Sequence, residues 1–247
     1  MSSSTDPTSL DWYLGEVSLP GYPVVQHTDS RFRDKVVVIT GAGGQLGRQG
    51  CHYFGKRGAR VIAIDKNSEA LRETFSSLNQ HCEFKPYALD VTDAEAVEAV
   101  FQHIAQRYKR IDYLWNNAGY QGQIAPILEQ KPSDFALVMQ INVTGLFCVL
   151  QATAKIMKET GGAIVNTASV AGLRGTPAMV GYASSKAAVI ALTVTAAKEL
   201  AVYNIRVNAI SPALIGPGPL WERQNKLHAQ VGAPYFAETE EEVGAAK

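Results

Sequence analysis

Residues Lys35–Gly50 read KVVVITGAGGQLGRQG. A β-branched apolar run ends in a cluster of glycines, and the cluster opens a helical pattern. A strand, a tight turn and a helix N-terminus in that order make a phosphate cradle. Neither of two common cradles fits. The Lys-Ser/Thr of a P-loop is missing, and the sixth place of G-x-G-x-x-G counted from Gly41 falls on Leu46.

Outward from this stretch, short β-rich runs alternate with helical stretches. The pattern predicts strands over 35–40, 60–64, 83–88, 111–116, 162–168 and 205–210. Helices are predicted over 46–57, 68–78, 93–108, 133–158 and 181–202. Central runs apolar on both faces belong to a parallel sheet covered by helices. Strand–helix alternation with right-handed crossovers gives an α/β fold, a doubly wound parallel sheet of Rossmann type in three layers. Residues 1–34 show no period and contain Pro20 and Pro23. They read as an extension, ordered in part if Trp12, Tyr13 and Leu14 find a groove, ahead of one domain over 35–247.

Composition excludes several classes. Lys+Arg and Asp+Glu balance at 23 each, so no net field favours nucleic acid or an anionic membrane. The apolar runs read as too short to span a bilayer. The serine-rich start has no basic residues and no apolar signal core, so a cytoplasmic protein is expected. Three cysteines, Cys51, Cys82 and Cys148, are too few and too scattered for a disulfide framework. The Cys51–His52 and His81–Cys82 pairs are adjacent rather than one helical turn apart, and no metal site is expected.

In a doubly wound sheet the first strand-to-helix turn carries a dinucleotide. Gly41 allows the tight turn, Gly43 and Gly44 keep side chains off the phosphates, and Gly47 lets the helix approach the sheet. The N–H groups at the helix start, around Gln45 and Leu46, face the pyrophosphate. Asp65 ends the second strand 18 positions after Gly47. A carboxylate there accepts both hydroxyls of an adenine ribose and repels a 2′-phosphate, which favours NAD over NADP. It reads equally as a helix cap, and Lys66 beside it weakens the discrimination. Asp90 and Val91 end the third strand, where they would line the adenine pocket; Asp90 is also a natural turn residue.

Five segments now stand together: Thr40–Gly47 as T-G-x-x-x-x-x-G, Asn116–Gly119 as N-N-A-G, Asn142–Gly145 as N-V-x-G, Ala168–Ser169, and Tyr182–Lys186 as Y-x-x-x-K. In this order and spacing the chain resembles the short-chain dehydrogenase/reductase family from about residue 34 onward. Through NNAGYQG, INVTG, NTAS and YNIRVNAISP it is similar in particular to bacterial NAD-dependent xylitol (polyol) dehydrogenases. The family's turn usually carries a glycine where Gln45 stands. If that place needs φ > 0, a side chain costs about 1–2 kcal/mol.

The resemblance implies an oxidoreductase with Tyr182 as acid/base and Lys186 favouring its phenolate while holding the nicotinamide ribose. Ser169 would bond the reacting oxygen, and Asn142 would anchor a water in a proton relay. Asn117, Ala118 and Gly119 would close the cofactor site. Pro212 and Ile215 would meet the carboxamide, although Ala213 and Pro217 depart from the family's P-G-x-x-x-T. Residues 213–236 would cover the substrate, with Gln121 and Trp221, and also Gln123, Glu222 or Arg223, as partners for a polyol. Each of these polar residues also reads as ordinary surface. Other secondary alcohol/ketone pairs, 3-oxoacyl or steroid, stay open as substrates. The family also implies a homo-oligomer, dimer or tetramer. The chain ends before the family's usual final helix and seventh strand, with Thr239 and Glu242 placed as a capping box. The sixth strand is therefore expected at an exposed edge, and a catalytically inactive nucleotide- or partner-binding chain is a further alternative.

Overall fold

Val36, Val37, Val38 and Ile39 are fully buried, so the first strand, β1 (Val36–Thr40), has no solvent face. That is the behaviour of a parallel strand covered on both sides. The structure, a computed structural model, describes residues 30–77, 83–216 and 218–246. The expectations for Trp12, Tyr13, Leu14, His81, Cys82 and Pro217 lie outside these residues. The other strands are β2 (Arg60–Asp65), β3 (Phe84–Ala88), β4 (Tyr113–Asn116), β5 (Gly162–Thr167) and β6 (Ile205–Ile210). All pair in parallel in the order β3-β2-β1-β4-β5-β6. The order reverses between β1 and β4, and the carboxyl ends of these two strands open the crevice where such sheets bind ligands.

The helices are α1 (Gln45–Gly55), α2 (Ser68–Ser77), α3 (Ala94–Tyr108), α4 (Pro132–Met139), α5 (Leu146–Met157), α6 (Ala171–Arg174), α7 (Val180–Leu200), α8 (Pro219–Val231) and α9 (Glu240–Ala245). On one sheet face α3, α5 and α7 bury Phe101, Ile104, Val149 and Met157 against Val36, Val38, Leu114 and Ile164. On the other, α1 and α2 cover Val37, Ile39, Val61 and Ala63 with Cys51 and Leu71. Beyond them on that second face, β4–β6 carry no helix among the described residues. An apolar hollow of about 510 Å³ lies there instead, lined by Trp115, Val165 and Ile210.

Three expectations are modified. The single helix over 133–158 is α4 and α5 joined by a π-helical turn, Gln140–Gly145. π turns inside helices frequently mark functional positions, and this one contains Asn142. The strand expected from residue 111 starts at Tyr113. Asp112 takes the backbone N–H of Val36 at 2.9 Å and pairs with Arg110, so its carboxylate caps the start of the β1–β4 pair. The apolar stretches are also longer than read: 132–157 and 180–203 could cross a bilayer by length and composition. Both serve as side layers of the sheet and bury Asn142, Ser185 and Lys186.

Candidate active site

The glycine turn closes on itself. Gly41 sits at φ +66°, and a Cβ on Gly47 would lie 2.1 Å from the Gly41 carbonyl oxygen. No side chain fits there, which fixes the five-residue spacing between the two. Gly43 has a different reason from the one expected: a Cβ would meet Ala70 of α2 at 2.6 Å, so this glycine admits the neighbouring helix. Gln45 is not strained. It begins α1 with ordinary helical backbone, after Gly44 at φ −77°. Its amide lies where a Cβ on Gly218 would come, at 2.6 Å, so the side chain reaches from the turn to the start of α8.

Asp65 faces this turn. Its Oδ2 accepts the Gly43 N–H at 2.9 Å and its Oδ1 the Asn67 N–H at 2.9 Å. Each carboxylate oxygen keeps a lone pair. A cavity of about 130 Å³ beside it is lined by Gly41, Asp65, Asp90, Val91, Gly119 and Tyr120 among others. The two readings of Asp90 hold together. It lines this cavity and also closes a turn, its Oδ1 accepting from the N–H and hydroxyl of Thr92. The Thr92 N–H, first, holds its carboxyl below the usual range.

Thr40 ties the crevice shut from below. Its hydroxyl accepts the N–H groups of Asn117 and Ala118 at 2.9 and 3.0 Å and donates to Asn116 at 3.2 Å. Asn116 in turn donates to the Leu146 carbonyl at 2.8 Å. The N-N-A-G segment therefore holds β1, β4 and α5 in register.

The four expected catalytic residues arrive from three elements. Ser169 follows β5, Tyr182 and Lys186 lie one turn apart on α7, and Asn142 sits in the π turn. The Ser169 Oγ accepts the Ala171 N–H at 3.2 Å, which leaves its own proton for the Tyr182 oxygen. Burial pushes the Tyr182 phenol above its ordinary value, and the Ser169 bond pulls the other way. Lys186 is buried, with its Nζ 5.6 Å from the Tyr182 ring centre and 2.7 Å from the Thr167 carbonyl. Burial draws its pKa down to about 8. Asn142 is bonded on both sides to the backbone of Tyr120, at 2.7 and 2.8 Å, and to the Ser185 hydroxyl at 2.9 Å. Its Oδ1 and the Lys186 Nζ both lie about one van der Waals contact from Gly119, at 3.3 and 3.5 Å from an added Cβ.

Gln121 follows Tyr120 and is 8% exposed, and among the described residues neither its Oε1 nor its Nε2 has a hydrogen-bond partner. On the far side, the Val170 N–H donates to the Pro212 carbonyl at 3.1 Å and fixes the exit of β6 against the end of β5. Ile215 is half-buried in the segment that follows. Trp221 lies against Gly216, where a Cβ would be 2.6 Å from its ring, and so packs on the covering segment itself. Gln123 donates its N–H to Asp134, while Glu222 is exposed in α8. Thr239 caps α9 by accepting the Glu242 N–H, but Glu242 returns to the Thr239 hydroxyl rather than to its backbone.

Several participants were not singled out in the sequence: Thr40, Tyr120, Thr167 and Ser185. Thr40 opens the T-G-x-x-x-x-x-G stretch, Ser185 lies inside Y-x-x-x-K, and Tyr120 and Thr167 each adjoin a quoted motif; that placement is the signal that would have found them.

A short chain dehydrogenase family model matches residues 35–227. The chain belongs to the short-chain dehydrogenase/reductase family. It is 46% identical to the structure of an NAD+-bound xylitol dehydrogenase, with a TM-score of 0.84 over 86% of this chain and 83% of that one. Sorbitol dehydrogenase of Cereibacter sphaeroides is 36% identical over 87% of this chain and 84% of its own length. A 3-oxoacyl-(acyl-carrier-protein) reductase of Thermotoga maritima is 41% identical over 75% and 76%. The protein is thus an oxidoreductase of secondary alcohols that uses a nicotinamide cofactor and a small-molecule substrate.

The residues fit a dinucleotide. Gly41 and Gly47 leave no room for side chains, and the Leu46 and Gly47 N–H groups lie in the first turn of α1, which has no intrahelical acceptors. A nicotinamide, when bound, takes or gives the hydride. The protein handles the proton. The Tyr182 and Ser169 hydroxyls stand together beside the crevice, a pair chemically able to move a proton and to bond one oxygen atom. Asn142 fixes Tyr120, and with it the wall opposite α7.

Proposed function

We propose that this enzyme oxidises a secondary hydroxyl of a xylitol-like polyol with NAD, giving the ketose. The observation that carries the substrate class is Gln121: a buried amide with both ends unpaired among the described residues, one residue from the Tyr120 backbone that holds Asn142. An unpaired buried amide costs about 1–3 kcal/mol, and a hydroxyl-rich substrate would satisfy donor and acceptor together. Relatives named as xylitol and sorbitol dehydrogenases support the same class. Asp65, on the crevice wall with one lone pair free on each oxygen, supports NAD over NADP. In this reading 213–236 covers the substrate, with Pro212 and Ile215 at the carboxamide and Trp221 fixing the cover. Exposed Phe147 on α5 and Val194 on α7 support association into a dimer or tetramer through these helices; light scattering would measure it. The balance of Lys+Arg and Asp+Glu, which draws the protein to neither nucleic acid nor an anionic membrane, supports a cytoplasmic place.

The deciding experiment is NADH formation by the purified protein with NAD and a panel: xylitol, sorbitol, 3-hydroxyacyl thioesters and hydroxysteroids. Fastest turnover on a polyol is expected. The 41% identity to a 3-oxoacyl reductase supports the second reading, and preference for the thioester would replace the first with it. No turnover on any member would leave an inactive nucleotide-binding chain.

A further inference from the structure

The loop after β4 carries Gln121 between fixed points supplied by three different parts of the chain. At Tyr120 both backbone polar groups are bonded to the Asn142 side chain, the N–H at 2.7 Å and the carbonyl at 2.8 Å. At Gln123 the N–H donates to Asp134 Oδ2 at 2.8 Å. At Ala125 the N–H donates to the Ala178 carbonyl at 2.9 Å, just ahead of α7. Gln121 and Gly122 stand between the first two points. We propose that Asp134 is a positioning residue for substrate recognition: it holds the turn at Gly122 and so keeps the Gln121 amide in place to meet a substrate hydroxyl. This inference rests on the polyol reading above.

Gly122 adopts φ +75°, a conformation that glycine takes without steric cost. A Cβ there would come 2.4 Å from Val138 Cγ2 and 2.8 Å from Asp134 Oδ2, so α4 packs directly on the bare glycine. The freedom that lets Gly122 enter this turn would also let it leave. Tyr120 fixes one side of the turn, and the bond from Gln123 to Asp134 fixes the other. Asp134 suits the task. It stands in the first turn of α4, where the helix dipole favours negative charge. A charged acceptor makes a shorter and stronger hydrogen bond than a neutral one. Gln130 steadies the same oxygen, its Nε2 donating at 3.2 Å.

The test compares Asp134→Ala and Asp134→Asn in the full chain, each with and without Gln121→Leu. Asp134→Ala should raise KM for xylitol roughly tenfold and leave kcat and the KM for 2-butanol within about twofold. Asp134→Asn keeps an oxygen for the Gln123 N–H and should restore most of the loss. In the Gln121→Leu background, Asp134→Ala should add nothing, because the amide it positions is gone. A second readout needs no substrate. In NMR spectra of protein isotopically labelled on its glutamine amides, the Gln121 side-chain signal is identified by its loss in Gln121→Leu. That signal should move in Asp134→Ala and return in Asp134→Asn. An unmoved signal would overturn the proposal. So would an equal rise in KM for 2-butanol, or a further rise for xylitol on top of Gln121→Leu. If Gln121→Leu leaves the KM for xylitol unchanged while the amide signal still moves with Asp134, the polyol reading fails and the positioning stands.

Discussion

The Lys186 ammonium donates to the Thr167 carbonyl at 2.7 Å while burial pulls its pKa from 10.5 to about 8. The folded protein thus binds this proton less tightly than the unfolded chain does. Below pH 8 both states are protonated and the folded state bears the whole penalty. Between about 8 and 10.5 the folded state releases the proton while the unfolded chain keeps it, so stability from this group rises with pH. The shift corresponds to roughly 3 kcal/mol. Lys186→Met removes it and leaves the Thr167 carbonyl short of a donor, at about 1 kcal/mol. The variant should lose turnover but melt above the wild type at pH 7, with the advantage shrinking by pH 10. Calorimetry at the two pH values checks this; a lower midpoint at pH 7 would refute it.

Burial pushes the Tyr182 phenol above its ordinary value, so it stays protonated well past neutral pH. In the proposed acid/base role it gives a proton to a ketone but must first lose one to accept from an alcohol. The kcat/KM for alcohol oxidation should therefore climb from neutral into alkaline pH, and that for ketone reduction should fall. Tyr182→Phe should lower both by at least about a hundredfold without weakening NADH binding measured by fluorescence. Equal turnover in the variant would remove Tyr182 from the mechanism.

The two glycines that flank the start of α1 should respond oppositely. A Cβ at position 47 would meet backbone at 2.1 Å, whereas at Gly44 the nearest atom is 3.3 Å away and φ is ordinary. Gly47→Ala should destabilise by about 3 kcal/mol or fail to fold, and should lose NADH affinity. Gly44→Ala should stay within about 1 kcal/mol of the wild type. Urea unfolding separates them.

Much of this was legible in the sequence. All six strands fall within two residues of their expected bounds, because a buried parallel strand is a continuous apolar run. The Tyr182–Lys186 pair and the Thr40–Gly47 turn were visible because their spacing is dictated by one helical turn and one close backbone approach. What escaped depends on partners far along the chain. The π turn at Asn142 follows from its bonds to Tyr120 and Ser185, 22 and 43 positions away. Gln45 was weighed for strain it does not have, since only coordinates show that the positive φ belongs to Gly41. The face of β4–β6 that no described helix covers was hidden because Trp115 and Val165 look the same in sequence whether or not a layer covers them.

Asp65 has two functions that one substitution can separate. Its Oδ2 holds the Gly43 N–H, and its negative charge faces the cavity at the end of β2. Asp65→Asn keeps an acceptor for Gly43 and removes the charge. The ratio of kcat/KM for NAD over NADP should drop at least tenfold, with a stability loss of about 1 kcal/mol. Steady-state rates with each cofactor measure the ratio, and an unchanged ratio would move the discrimination away from Asp65.

Gln121 offers the sharpest separation of stability from function. Leucine has nearly the same volume and no polar atoms, so Gln121→Leu removes two buried groups that are unpaired among the described residues, without opening a cavity. It should stabilise the free protein by about 1–2 kcal/mol. If the amide meets a substrate hydroxyl, the same change should raise KM for xylitol at least tenfold. The KM for a simple secondary alcohol such as 2-butanol should barely move, since it lacks the extra hydroxyl. A raised melting point with unchanged KM for every substrate would make Gln121 a structural imperfection and not a recognition group. A lowered melting point would mean that its amide is already satisfied in the free protein.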